Sequence, residues 1–345
     1  MKNIEVFPIF QRAFHRMSII LFKPFDIAKW FFLGFSAWLG MMFSGQNGGN
    51  FNFKYSYKLD ASDETANINI PAEINDTLRK LFTSEGTFVE RICNFFGINE
   101  SLFWTIVYGG IFVIAIIAII YVVMLWISSR FKFIFIENLA QNHTEISEPW
   151  YKYKNLGNSA FLWQLSYTGI SLLFFVISFI IGMSLIYPII VQAVRSSDFS
   201  FSATSFAYAL LFSGVFVIFV IIFALVFYFF QQFVIPIMYK KHIGAMAAYK
   251  DFLELLKNNF LTFFLFFLLQ IVAGLACYFA VALLVVCTCC IAIFPLAIPY
   301  ISSVLLLPIS VFMRLQSMEL MYALGPEYSP YPAPPVHPSV PPPVS

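Results

Sequence analysis

NNFLTFFLFFLLQIVAGLACYFAVALLVVCTCCIAIFPLAIPYISSVLLLPISVFM, spanning positions 258–313, contains no charged side chain. No soluble domain needs so long a run. It has room for two helices, each requiring roughly 20 apolar residues to cross about 30 Å of hydrocarbon. Four more uncharged runs precede it, at Trp30–Phe53, Ser101–Ser129, Asn155–Val194 and Phe199–Tyr239. With one helix from each and two from the last, six spans are predicted. They lie near residues 27–44, 102–127, 161–190, 205–235, 260–286 and 293–313. Barrel strands are excluded, because the runs are too long and too uniformly apolar, and lipid satisfies no open backbone group.

Composition points the same way. The chain is 60% hydrophobic and 11% charged, with 44 phenylalanines among 345 residues; a soluble domain carries about 25% charge. A net charge of +2 is too small to argue for a nucleic-acid partner or an acidic substrate. The expected class is therefore all-α, a polytopic transmembrane bundle with the lipid bilayer as its first partner. The third and fourth runs exceed what a bilayer requires, so their helices either tilt or project beyond it.

Charge distribution orients the bundle. With six spans both termini share one side, and that side collects 14 Lys/Arg against six on the other. The bias places both ends in the cytoplasm. The first span is short, since its uncharged stretch opens only at Trp30 and polar residues begin after Ser44. It crosses only if Ile27 and Ala28 are counted and Lys29 snorkels; otherwise it is re-entrant. From Met1 to Lys29 there is no apolar segment typical of a cleaved signal, so the first span is expected to act as an uncleaved anchor.

The flanking regions divide accordingly. Residues 1–26 form an N-terminal region in which Pro8–Phe22 reads as an amphipathic helix. Gln11, Arg12, His15 and Arg16 fall on one side, and Phe10, Phe14, Met17 and Leu21 on the other. Such a helix suits the headgroup plane, or it packs on the bundle. Residues 27–324 form the membrane domain, with 45–101 as a small acidic cap outside the membrane. A hairpin is expected where Phe51, Phe53, Tyr55 and Tyr57 alternate, and an amphipathic helix after Pro71. Segments 10–31, 131–163 and 242–260 each lead into a span with aromatics and Lys/Arg, a pattern suggesting three repeated units. Aromatic and basic residues at any membrane boundary produce much the same pattern. Residues 325–345 hold nine prolines and are expected to be extended and disordered, a possible dock for a protein partner, as is the cap.

Few groups capable of chemistry remain. Within the six spans there is no Asp, Glu, Lys, Arg or His other than Lys29, which disfavours pumps and ion-coupled carriers. The candidate intramembrane positions are Gln231, Gln232, Pro236, Gln192, Pro188 and Gln270. A glutamine in hydrocarbon binds helices together or lines a path, and a proline frees an upstream carbonyl. Cys287–Cys290 (CTCC) lacks the second pair that a metal site needs, and the four histidines are scattered, so no cofactor and no metal is expected. A disulfide from this cluster to Cys93 is conceivable. No catalytic arrangement is present among the familiar motifs, so an enzyme is not expected.

Several stretches together resemble an uncharacterised prokaryotic family of multi-pass membrane proteins known only as a domain of unknown function. They are Leu21–Leu39 (LFKPFDIAKWFFLGFSAWL), Ser129–Leu139 (SRFKFIFIENL), Pro149–Trp163 (PWYKYKNLGNSAFLW) and Leu307–Tyr328 (LPISVFMRLQSMELMYALGPEY). The resemblance covers most of the chain before the proline tail. It implies an integral protein of a bacterial inner membrane and carries no activity or ligand with it. Two functions stay open: a scaffold or assembly protein that engages lipid or protein partners, and a carrier or channel for an uncharged or amphiphilic solute.

Overall fold

The computed structural model of the chain describes residues 5–43, 87–196, 203–288 and 291–332. The expected hairpin, the helix expected after Pro71 as far as Gly86, Cys289 and Cys290, and residues 333–345 lie outside the described residues. Every element within them is helical. In chain order these are α1 (Phe7–Phe22), α2 (Ile27–Met41), α3 (Phe88–Phe96), α4 (Glu100–Gln141), α5 (Ser147–Lys152), α6 (Lys154–Ser196) and α7 (Ala203–Phe229). A π-helical turn (Phe230–Val234) follows. Then come α8 (Ile235–Lys241), α9 (Ala245–Asn258), α10 (Phe260–Cys287), α11 (Ile293–Ala297), α12 (Pro299–Leu305) and α13 (Leu307–Leu324).

Local chemistry sets the helix ends. Asp26 caps α2 by accepting from the Ala28 amide at 2.8 Å. Thr87 and Glu90 close a reciprocal capping box on α3, and Gly97 ends that helix at φ 66°, a conformation suited to glycine.

Four helical stretches are long and apolar enough to cross a membrane: α4, α6 over Lys154–Leu185, α7–α8 over Ala207–Lys241, and α10. The bent pair α12–α13 makes a fifth if counted as one span. Two of the six expected spans thus take a different form. At 15 residues, α2 reaches roughly 22 Å, short of the hydrocarbon thickness. The expected span at 293–313 is broken into α11, α12 and the start of α13, with 67° between α12 and α13. Pro295, Pro299 and Pro308 each lack an amide hydrogen in this stretch, which interrupts the helical ladder. Other helices outrun their expected boundaries; α4 continues well past the apolar run to end at Gln141.

The chain divides into two compact units, one of residues 1–52, 124–165 and 226–345, the other of 53–123 and 166–225. In the second unit, Phe174 contacts Phe216, Phe219 and Phe223, and the Tyr167 hydroxyl donates to the Phe223 carbonyl at 2.6 Å. Most of its apolar side chains face outward: Phe112, Ile114 and Leu211 are each 67% exposed. Apolar surface on this scale belongs in lipid.

The first unit is built around α13, which is buried continuously from Arg314 to Met321. Helix α1 lies on it through Ile9, Ala13, Ile20 and Leu21. Helix α2 packs on α12 and α13, and on α4 as well, where Gly40 meets the backbone of Phe131 and Lys132. A Cβ at Gly40 would stand 3.2 Å from those main-chain atoms, so only hydrogen fits comfortably. An aromatic block fills the other side. Phe233 stacks on Phe252 at 5.4 Å and meets Phe263 and Phe266 edge-on at 5.1 and 5.7 Å. Past α13 the chain stays attached: Ser329 and Tyr331 are buried, and Tyr331 packs against Tyr322. The tail expected from residue 325 onward is therefore folded as far as Tyr331.

Candidate functional site

Helix α4, the π turn and α13 carry polar and charged side chains into the interior of the first unit. Arg130, Lys132, Glu137, Arg314 and Glu319 are all at most 6% exposed. All five fall outside the spans expected from sequence; the helices extend farther than the apolar runs and draw them inward.

The π turn is the centre of the arrangement. Its register makes the Ile235 amide donate to the carbonyl of Phe230. The next donor in that register would be residue 236, which is proline, so the Gln231 carbonyl loses its backbone partner. Arg314 supplies a replacement, with Nη1 2.5 Å from that carbonyl oxygen. The Arg314 Nε, the Gln231 Nε2 and both amide atoms of Gln232 and Gln316 are buried with no hydrogen-bond partner among the described residues. Next to this group, Lys132 donates to Gln164 Oε1 at 2.8 Å, and Gln164 donates on to Ser129 Oγ at 3.4 Å. Lys132 and Arg314 act on each other as like charges. Among the described residues neither has a carboxylate partner. Buried cations and unmet amides carry a desolvation penalty, so this cluster has a strong demand for something polar.

Rings close it in. Trp163 stacks on Phe230 at 3.7 Å and 6°, and Phe233 continues into the aromatic block. Gln231 and Gln232 are 3% and 0% exposed.

Two carboxylates organise the remainder. Glu137 accepts from Lys152 at 2.8 Å, Gln141 at 2.7 Å, Tyr153 at 2.6 Å and the Tyr239 hydroxyl, tying α4, α5 and α8 together. Burial, with Glu137 alongside, holds the Tyr153 hydroxyl far above the usual tyrosine range. Glu319 pairs with Arg12 Nε at 3.3 Å through Oε2. Its Oε1 lies 2.8 Å from Arg16 Nε, within ion-pair distance though not aligned as a hydrogen bond.

Of the predicted positions, Gln231, Gln232 and Pro236 come together in this site. Gln270 lies apart on α10, where it accepts from the Tyr228 hydroxyl. Pro188 and Gln192 lie in α6, and their side chains are outside the described residues. Cys93, Cys277 and Cys287 are free thiols. No group of three or more His, Cys, Asp or Glu among the described residues could hold a metal. Lys132, Arg314, Gln316 and Glu319 are not among the predicted positions. The available signal is their setting, isolated charges and amides in apolar strings such as FKFIFIENL and VFMRLQSMEL.

A family model described as a family of unknown function (DUF7544) matches residues 7–325. No curated protein and no solved structure matches the chain.

Proposed function

We propose, for a chain that belongs to the DUF7544 family of unknown function, the role of a non-catalytic membrane scaffold or assembly protein. It sits in a bacterial inner membrane with both termini in the cytoplasm. It engages lipid or protein partners through the short helices α1, α5 and α9, the 45–101 segment and the C-terminal tail. The observation that carries this reading is the burial of Gln231 and Gln232, 3% and 0% exposed, next in sequence to Phe230, on which Trp163 stacks at 3.7 Å. A carrier needs a hydrated path there, whereas a scaffold works with a solid interior. The Gln270–Tyr228 bond supports helix glue in the same way. In-membrane crosslinking of the full chain, followed by identification of adducts, should recover a reproducible set of protein partners. Recovery of the chain alone, together with solute flux in proteoliposomes, would overturn the scaffold reading.

One observation favours the second reading, a carrier for an uncharged or amphiphilic solute: the unpartnered amides of Gln231, Gln232 and Gln316. On that reading Gln232→Leu abolishes flux in proteoliposomes while leaving the fold intact.

A further inference from the structure

We propose that the groove between α1 and the C-terminal end of α4 binds the headgroup of an anionic phospholipid. This inference deepens the lipid-engaging role above and rests on it.

Helix α1 presents three faces at 100° per residue. Ile9, Ala13, Ile20 and Leu21 face α13 and are at most 2% exposed. Phe7 and Phe14 form a second face, 64% and 60% exposed. Gln11, Arg12, His15 and Arg16 form the third and line the groove, with Leu139, Ala140 and Asn142 of the α4 end opposite. The groove encloses about 630 Å³, within the usual range for a small-ligand site.

Its charge is set by one buried acid against several cations. Glu319, 1% exposed, lies on the α13 side and engages both arginines through Nε. Arg16 is also fixed over the Tyr331 ring, its guanidinium carbon 3.7 Å from the centroid. Both forks are thus oriented by the fold, and their terminal NH2 groups are not engaged by Glu319. A phosphodiester offers two non-bridging oxygens that match such a fork. On the opposite rim, Lys29 donates to Asn142 Oδ1 at 2.8 Å, with Asp26 as its nearby acid. Even with Glu319 and Asp26 counted, Arg12, Arg16 and Lys29 leave the rim positive.

Charge complementarity decides the class of ligand, and the adjoining phenylalanine face decides its source. A free phosphate would use the arginines but not the exposed rings. A phospholipid uses both, with acyl chains against Phe7 and Phe14 and the phosphate beside Arg12 and Arg16. A zwitterionic headgroup brings its own cation to the basic rim and is disfavoured.

The test uses the purified full chain in neutral detergent. It is titrated with dioctanoyl phosphatidylglycerol, dioctanoyl phosphatidylcholine or inorganic phosphate, and read by thermal midpoint and by adducts in native mass spectrometry. Phosphatidylglycerol should raise the midpoint saturably and persist as a 1:1 adduct, and the other two should do neither. Arg12→Lys with Arg16→Lys keeps the charge facing Glu319 but loses the forks, and should weaken the apparent affinity about tenfold. If that variant does not fold, His15→Ala with Gln11→Ala, which leaves the Glu319 pairs intact, must still weaken it. Equal responses to the two lipids would overturn the proposal. So would a full response to inorganic phosphate, or wild-type affinity in the variants. No response to phosphatidylglycerol would also overturn it and leave the groove to an acidic protein partner. Solute flux in proteoliposomes alongside selective phosphatidylglycerol binding would overturn the scaffold role while leaving this site standing.

Discussion

Gln232 and Gln270 are the same residue type in the same kind of run, and only their neighbours distinguish them. Gln270 accepts from Tyr228, whereas both amide atoms of Gln232 are buried without a partner among the described residues. Gln270→Leu should therefore orphan a hydroxyl and lower stability by about 1–3 kcal/mol. Gln232→Leu should be neutral or stabilising, because an unmet amide is replaced by an apolar side chain of similar length. Thermal unfolding in detergent checks both, and an equal loss in the two variants would contradict the assignment of partners. Glu137→Ala should be among the most damaging substitutions in the first unit, at about 3 kcal/mol, since it strands the hydroxyls of Tyr153 and Tyr239 together. None of this is legible in the sequence. A glutamine in an apolar run announces a polar need, but the partner of Gln270 is Tyr228, on a different helix, and spacing does not reveal it.

At the scale of elements, the amphipathic pattern of residues 8–22 is legible, and of its two readings the structure shows the packing on the bundle. α1 packs on α13 through its aliphatic face and keeps Phe7 and Phe14 exposed on another. The close packing of α2 on α4 is not legible, because Gly40 looks like any glycine in a membrane run until its neighbour is known. Gly40→Val should cost about 1–3 kcal/mol, since the atoms at 3.2 Å are main chain and cannot rotate away. Gly109→Val offers the control, because nothing lies within 4 Å of its Cβ position and it should change the midpoint little. If the two substitutions are equally tolerated, the α2–α4 contact is looser than described. The prolines near the C-terminus mark candidate kinks in the sequence; the 67° break between α12 and α13 turns the last helix into the centre of the first unit.

For the whole molecule, the topology argued from charge bias makes a direct prediction. In a cysteine-free background, Asn94→Cys on α3 should react with a membrane-impermeant maleimide added outside intact cells. Glu254→Cys on α9 should react only after the cells are opened. Both positions are exposed, so access to the reagent is decided by the membrane. Labelling of both from the same side would reverse or reduce the span count. What the amino-acid sequence determined by itself is the solvent: charge-free runs as long as Asn258–Met313 have no stable place in water, and helix is the form that satisfies their backbone in lipid. What only the tertiary structure decided is which charges leave water. Arg130, Lys132, Glu137, Arg314 and Glu319 lie beyond the apolar runs, where local composition assigns them to solvent. Their burial depends on helices α4 and α13 continuing into a packed unit whose ion pairs join distant parts of the chain, Arg12 to Glu319 among them. Hydropathy is summed over neighbours in sequence, whereas the energy of a buried charge is set by neighbours in space.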